Sequence, residues 1–256
     1  MTSGRTAPNL RLRLAAAHDA ARSLQAIWWP GIQPLVISAA LSGVLLCAYY
    51  VIADEVVEDR RDRFDDAVSR TVGGWEAPFL TWAMRLVTHL GSTAVTNLIY
   101  VAMAAWLIGL GRRRAGVLTA TVAIGSQVLV QVMKQLSHRA RPEVFTPLVD
   151  AGGYSFPSGH TFAATVAYGL VAALIAGRLS GRLRLVPWAV WAVIVVVVGF
   201  SRVYLGAHYA TDTLGSLLLG GAWLVTWLAI MELAERPHRF LPPRRDARSK
   251  RTFPGR

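Results

Sequence analysis

Apolar residues run along this chain in six long blocks separated by short polar links. The blocks lie near residues 33–53, 92–111, 115–133, 161–177, 187–205 and 213–233. Each approaches the roughly 20 residues that a helix needs to cross the hydrocarbon of a bilayer. A backbone inside lipid must satisfy its own hydrogen bonds, so the blocks are read as helices. The fourth is the shortest, and Ser158 to His160 can extend it at its start. The fifth contains the strand-like run Val193 to Val198. In water that run would favour a strand; in lipid a lone strand would leave its backbone unpaired, and the helix is retained. The expected fold class is therefore all-α, a polytopic membrane protein with six transmembrane helices.

Composition agrees with this reading. Of 256 residues, 54% are hydrophobic and only 16% are charged, against about 25% charged in a soluble domain. The net charge of +12 is unevenly spread. Arg5, Arg11, Arg13 and Arg22 lie in the head, Arg112 to Arg114 between the second and third blocks, and Arg178, Arg182 and Arg184 between the fourth and fifth. The tail adds Arg236, Arg239, Arg244, Arg245, Arg248, Lys250, Arg251 and Arg256; the acids on this side are Asp19, Glu232, Glu235 and Asp246. Cytoplasmic links carry the excess of Lys and Arg. Both termini are thus expected in the cytoplasm, in agreement with six spans of the cytoplasmic membrane. The basic charge reads as a topology signal and an attraction to anionic headgroups, and no nucleic-acid partner is expected.

The expected organisation is a cytoplasmic segment 1–31, a six-span domain 32–235 and a basic cytoplasmic tail 236–256. The first span follows a polar, Arg-bearing head and begins too late for an ordinary cleaved signal. The lone Cys47 makes no intrachain disulfide and reads as a small buried hydrophobe. The outer link, about 54–91, opens with an acidic, highly charged stretch, Asp54 to Arg70. Its second part mixes Trp75, Phe79, Trp82 and Leu86 with polar residues, as in a helix lying in the interface or packed on the bundle.

Three polar groups stand at block ends that should share one bilayer face: Lys134 to Pro142, Tyr154 to His160, and Ser201 to Asp212. Lys134, Arg141 and Arg202 offer cations for phosphate oxygens, Arg by a bidentate grip and Lys as a compact charge. If the first group starts helical, Lys134 and Arg141 stand about two turns apart on similar faces, and Pro142 disfavours helix at Arg141. Pro157 helps make a turn, Ser158 supplies a hydroxyl and Gly159 lets the backbone approach an anion. The start of the fourth helix would favour negative charge there. His208 and Asp212 are four apart and share a face on a helix. A carboxylate holding one imidazole nitrogen leaves the other aimed for attack. His160 is then positioned to protonate a leaving oxygen, while the cations stabilise an in-line phosphoryl transfer.

Lys134…Arg141-Pro142, Pro157-Ser158-Gly159-His160 and Ser201-Arg202…His208…Asp212 resemble the three-part signature of the type-2 phosphatidic acid phosphatase superfamily, which also includes the vanadium haloperoxidases. Every signature position matches in order, and the six-block pattern resembles the family's membrane members over about 33–233. The resemblance implies an integral membrane lipid phosphatase with an outer-face active site. In it, His208 becomes a phosphohistidine, Asp212 orients it, and His160 is the general acid that later helps activate water. Lys134, Arg141, Ser158, Gly159 and Arg202 hold phosphate oxygens. It implies no metal and no cofactor, and a lipid phosphate as substrate: phosphatidic acid, phosphatidylglycerol phosphate or a polyprenyl phosphate or diphosphate. Ser201 belongs to the signature without a chemical role.

Plainer readings stand beside these. Arg139 and Arg85 read as cations snorkelling to headgroups. His18, His89, His138 and His238 read as structural or solvated, and Trp28, Trp29, Trp188 and Trp191 as interfacial or lipid-facing aromatics. Two histidines with Asp212 have the donor types for zinc, but three nearby cations oppose a dication. A phosphotransferase would use the same intermediate. A non-catalytic lipid-phosphate binder or transporter would use the cations without needing His208, Asp212 and His160 together. The lipid's identity and the oligomeric state are not legible.

Overall fold

A computed structural model describes residues 33–58 and 62–235. These form eight helices: α1 (Gln33–Val57), α2 (Asp62–Gly73), α3 (Pro78–Thr88), α4 (Thr93–Gly109), α5 (Arg113–Ser137), α6 (Gly159–Ala176), α7 (Val186–Tyr204) and α8 (Ala210–Glu235). Short 3-10 turns precede α4 and α7. No strand occurs among the described residues, and the valine run of the fifth block is helical within α7. The expected head and tail segments, 1–31 and 236–256, lie outside the described residues.

Helices α1, α5, α6 and α8 are long and apolar enough to cross a membrane, as is α7 with its preceding turn. The sixth candidate is bent. Helix α3 and the turn after it meet α4 at 41°, so the second predicted block is the 17-residue α4, shorter than the other spans. Ser92 explains the break. Its backbone is extended and its side chain accepts from Val95 N–H at 3.4 Å, which starts a new helix. Many large apolar side chains of the bundle face outward, including Val36, Leu98, Val101, Ile124, Val193 and Val196. Such a continuous apolar exterior suits lipid rather than water. Cys47 belongs to it: it is exposed, not buried, because α1 sits at the bundle's edge. Helix α1 attaches to α8 through Ser42, whose hydroxyl donates to Ala222 O at 3.3 Å and lies 3.1 Å from Thr226 Oγ1.

The main core joins α4, α5, α6 and α8 around Leu107, Val122, Phe162, Val166, Leu170 and Leu219. A second core, with Val72, Met84, Val203, Tyr204 and Leu205, fastens α2 and α3 to the end of α7. Tyr204 pins α3, its hydroxyl lying 3.0 Å from Thr81 Oγ1 and accepting from Ala77 N–H at 3.3 Å. In this segment Met84 packs inward, while Phe79, Trp82 and Leu86 are exposed.

Close approach at two glycines sets the end of the bundle that matters below. A Cβ on Gly91 would lie 2.8 Å from the His160 carbonyl oxygen, and one on Gly215 2.6 Å from the Phe156 ring. Phe156 in turn stacks on Tyr49 of α1, with centroids 5.7 Å apart. Gly215→Ala is therefore expected to destabilise the protein by about 1–3 kcal/mol through overpacking. Gly43→Ala, inside α1 where no atom lies within 4 Å, should not destabilise it, since alanine is the better helix former. Paired thermal unfolding in detergent checks this; equal midpoints would remove the close-packing claim.

Candidate active site

All three polar groups meet at one end of the bundle. Lys134 closes α5, His160 opens α6, Arg202 closes α7, His208 sits in the α7–α8 connection and Asp212 is in the first turn of α8. The basic links at 112–114 and 178–184 lie at the other end of the same helices.

Local chemistry decides how each group arrives. Helix α5 stops at Ser137 because His138 adopts a left-handed φ of 48°, a conformation that ends helices. Lys134 and Arg141 therefore do not share a helical face: α5 ends before Arg141, in keeping with the bias of Pro142 against helix there. They converge instead on the loop before α6. Lys134 Nζ donates to Tyr154 O. Arg141 donates to Gly153 O at 3.0 Å and Gly152 O at 2.7 Å. His138 packs edge-on against Tyr154, with centroids 4.7 Å apart. Ser158 caps α6, its fully buried hydroxyl accepting from Thr161 Oγ1 at 3.1 Å. The fourth span thus does begin at Gly159. A Cβ on Gly159 would meet only Val130, at 3.8 Å, so packing does not demand the glycine.

The His208–Asp212 contact also forms differently from expectation. Helix α8 starts at Ala210, so His208 lies before it and the two do not share a helical face. A turn through Gly206, with φ +71°, folds His208 back over the first turn of α8. Its Nδ1 lies 3.3 Å from Asp212 Oδ2 and 3.4 Å from Ser155 Oγ. Its Nε2 lies 3.4 Å from an Arg141 amino group, an arrangement suited to a proton on Nδ1 and a lone pair on Nε2. Asp212 is fully buried. It accepts from Arg139 at 2.6 Å, from Tyr209 N–H at 2.9 Å and from Ser155 Oγ.

Arg202 is 5% exposed; one amino group donates to Thr88 Oγ1 at 2.9 Å, while its Nε has no partner among the described residues. His160 is half-buried and lies within Coulombic range of Arg202, His208, His89 and Lys134. Ser201 donates to Val198 O at 2.6 Å, a backbone contact within α7. No three His, Cys, Asp or Glu residues among those described form a group that could hold a metal ion.

Arg139 is buried, contrary to the expectation for a cation at a membrane edge. It does not snorkel: it is 8% exposed, bonded to Asp212, Asp65 and Thr211, and lies 4.2 Å over the Tyr209 ring. Burial alone would lower its pKa, but the paired carboxylates more than reverse this and raise it. Ser155 and Asp65 join Arg139 around Asp212, and neither is part of a motif. Ser155 lies beside the Pro-Ser-Gly-His turn, which was a usable signal. Asp65 stands among many acids and carries no local signal. Arg85, by contrast, is an exposed side chain donating to Leu148 O at 2.9 Å.

Known proteins resemble this chain in sequence and fold. The PAP2 superfamily profile matches residues 114–236. Phosphatidylglycerophosphatase B of Bacillus subtilis (strain 168) is 30% identical over 77% of this chain and 96% of its own. The chain belongs to the PAP2 superfamily. A crystal structure of a transmembrane PAP2-type phosphatidylglycerolphosphate phosphatase from Bacillus subtilis shares the fold, with TM-score 0.71 and 29% identity over 76% of this chain and 98% of that one. An undecaprenyl-diphosphatase of the same species is 30% identical over 52% of this chain and 67% of its own length.

Burial pushes the His208 imidazole down to about 4; Arg202 and Arg141 act in the same direction and Asp212 opposes them. His208 is therefore neutral near pH 7, the state in which an imidazole nitrogen has a lone pair to offer. The unfolded chain takes up this proton near pH 6.5 and the folded chain only near 4. Stability from His208 is thus lost as pH falls through that window, by at most about 3 kcal/mol. Thermal unfolding in detergent should show wild type losing ground to His208→Gln between about pH 7 and about pH 4.5. A constant gap between the two would contradict a buried, neutral imidazole.

Proposed function

We propose that this chain is a membrane lipid phosphatase that removes a phosphoryl group from a lipid phosphate or diphosphate through a phosphohistidine on His208. The observation that carries this reading is the paired engagement of His208, Nδ1 on Asp212 and Nε2 toward Arg141, on a bundle with an apolar exterior. The relatives' names, phosphatidylglycerophosphatase and undecaprenyl-diphosphatase, support the substrate class.

The chemistry follows from the groups present. Nε2 of His208 attacks phosphorus in line, and the bond from phosphorus to the lipid oxygen breaks. Asp212 holds the Nδ1 proton and balances the positive charge of the phosphorylated ring. Lys134, Arg141, Arg202, the Ser158 hydroxyl and the backbone at Gly159 hold the phosphoryl oxygens as charge redistributes. His160 gives a proton to the departing lipid oxygen, then takes one from the water that cleaves the phosphorus–nitrogen bond. Inorganic phosphate leaves and both imidazoles return to their starting state.

A cleft of about 420 Å³ supports a lipid substrate. It runs between α4, α5 and α6, with Lys134, Gly159 and His160 at one end and Tyr100, Phe162 and Val130 along its walls. Its residues Gln127, Val128 and Gln131 are exposed on the side of the bundle, so a headgroup can reach the cations while its tail stays among lipids. The charge bias of the links supports a site at the outer face of the cytoplasmic membrane, both termini inside.

Purified protein is expected to release phosphate, in EDTA, from at least one of phosphatidic acid, phosphatidylglycerol phosphate and a polyprenyl diphosphate. His208→Ala should lower turnover by about 10³-fold or more. His138→Asn, which keeps a residue tolerant of left-handed backbone, should retain most of it. Brief incubation with ³²P-labelled substrate should leave an acid-labile label on wild type and none on His208→Ala. No release from any substrate, or full turnover by His208→Ala, would defeat the proposal.

A further inference from the structure

The charged segment after α1 contributes one carboxylate that leaves the surface altogether. Asp65 of α2 is fully buried, whereas Arg63, Phe64 and Ala67 around it are exposed. It lies outside the residues matched by the PAP2 profile. Its Oδ2 accepts from an Arg139 amino group at 2.6 Å and from Thr211 Oγ1 at 2.5 Å, and its Oδ1 accepts from Thr211 N–H at 3.1 Å. The other amino group of Arg139 holds Asp212 Oδ1 at 2.6 Å. Asp65, Arg139, Asp212 and His208 thus form a continuous file, every member less than 9% exposed.

We propose that Asp65 is a positioning residue for the nucleophile: by sharing Arg139 with Asp212, it keeps the buried carboxylate–guanidinium group anionic overall, so Asp212 still acts as a counter-charge to His208. This rests on the phosphohistidine reading above. An Arg–Asp pair alone is neutral, and its members cancel much of each other's field at a third site. Burial makes that matter, because water does little to screen these charges. A second carboxylate on the far side of the guanidinium returns the group to a net charge of about −1. His208 requires that charge when Nε2 bonds to phosphorus while Nδ1 keeps its proton, since the ring then becomes positive. Asp65 also accepts the Thr211 N–H in the first turn of α8, the turn that carries Asp212. One residue of α2 therefore sets both the charge and the seat of the orienting carboxylate.

Charge and scaffold roles separate in a three-variant set. Asp65→Asn keeps the shape and an acceptor for Thr211 but removes the charge. Arg139→Gln removes the cation and keeps an amide donor for Asp212. Asp65→Asn/Arg139→Gln restores the net charge. Turnover is measured on whichever of phosphatidic acid, phosphatidylglycerol phosphate and polyprenyl diphosphate the wild type hydrolyses fastest. Asp65→Asn is expected to lower kcat by about tenfold or more, with KM within about twofold. The double variant should recover about tenfold over Asp65→Asn, a non-additivity that reports coupling. A scaffold role alone predicts a double variant no better than its worse parent; that result, or wild-type kcat in Asp65→Asn, overturns the proposal. If Asp65→Asn fails to fold, the double variant decides: turnover within about tenfold of wild type supports the proposal, and a lower value overturns it. Absence of phosphate release from wild type itself strikes the phosphatase reading and removes this inference with it. Wild-type release combined with either overturning result strikes this inference alone.

Discussion

A carboxylate buried at the end of a membrane bundle is the constraint around which this protein is arranged. Asp212 has no exposed surface, and a charge removed from water must be paired and hydrogen-bonded or it is not tolerated. Four partners come from three places: Arg139 after α5, Ser155 before α6, and both the Tyr209 N–H and the His208 ring before α8. Satisfying one carboxylate thus draws together three stretches of chain that are distant in sequence. The orientation of His208 is a consequence of that demand.

The rest of the bundle supplies the conditions for such a site. Its exterior is apolar, so the polar groups gather inward and toward one end, where helices start and stop. The closeness of the elements there depends on missing side chains. Gly91 lets the turn before α4 lie against the His160 backbone, and Gly215 lets α8 lie against Phe156. Without a hydrophobic drive between helices in lipid, small residues at contacts are the route to tight packing. The distance from the Pro-Ser-Gly-His turn to His208 is in this sense set by glycines that carry no chemistry.

Arg139 and Arg141 are two residues apart and do opposite things. Arg141 faces Nε2 of His208 and is half-buried, and burial lowers its pKa. Arg139 turns away from the cleft and is held between two carboxylates. The left-handed residue at His138 makes this division possible: it ends α5 and sends the following residues across the end of the bundle rather than along a helix face. Spacing rules for a helix cannot describe such a segment.

What the sequence determined by itself was whatever lipid or local chemistry dictates. Six apolar blocks sufficed for helices, because a backbone in hydrocarbon has no other partner than itself. The reading held even for the valine run of α7. The extension of the fourth block back into Ser158 to His160 was legible, and α6 starts at Gly159. The residue types of the candidate site were legible because phosphoryl transfer needs a nucleophile, an acid and cations. Tertiary structure alone decided how they meet. His208 reaches Asp212 through a turn at Gly206 rather than along a helix, and Lys134 meets Arg141 through a loop. The buried partnership of Arg139 with Asp65 was invisible, since an acid among acids and a cation at a membrane edge look like surface residues. Burial and pairing depend on neighbours 74 positions away, and no local pattern carries that separation.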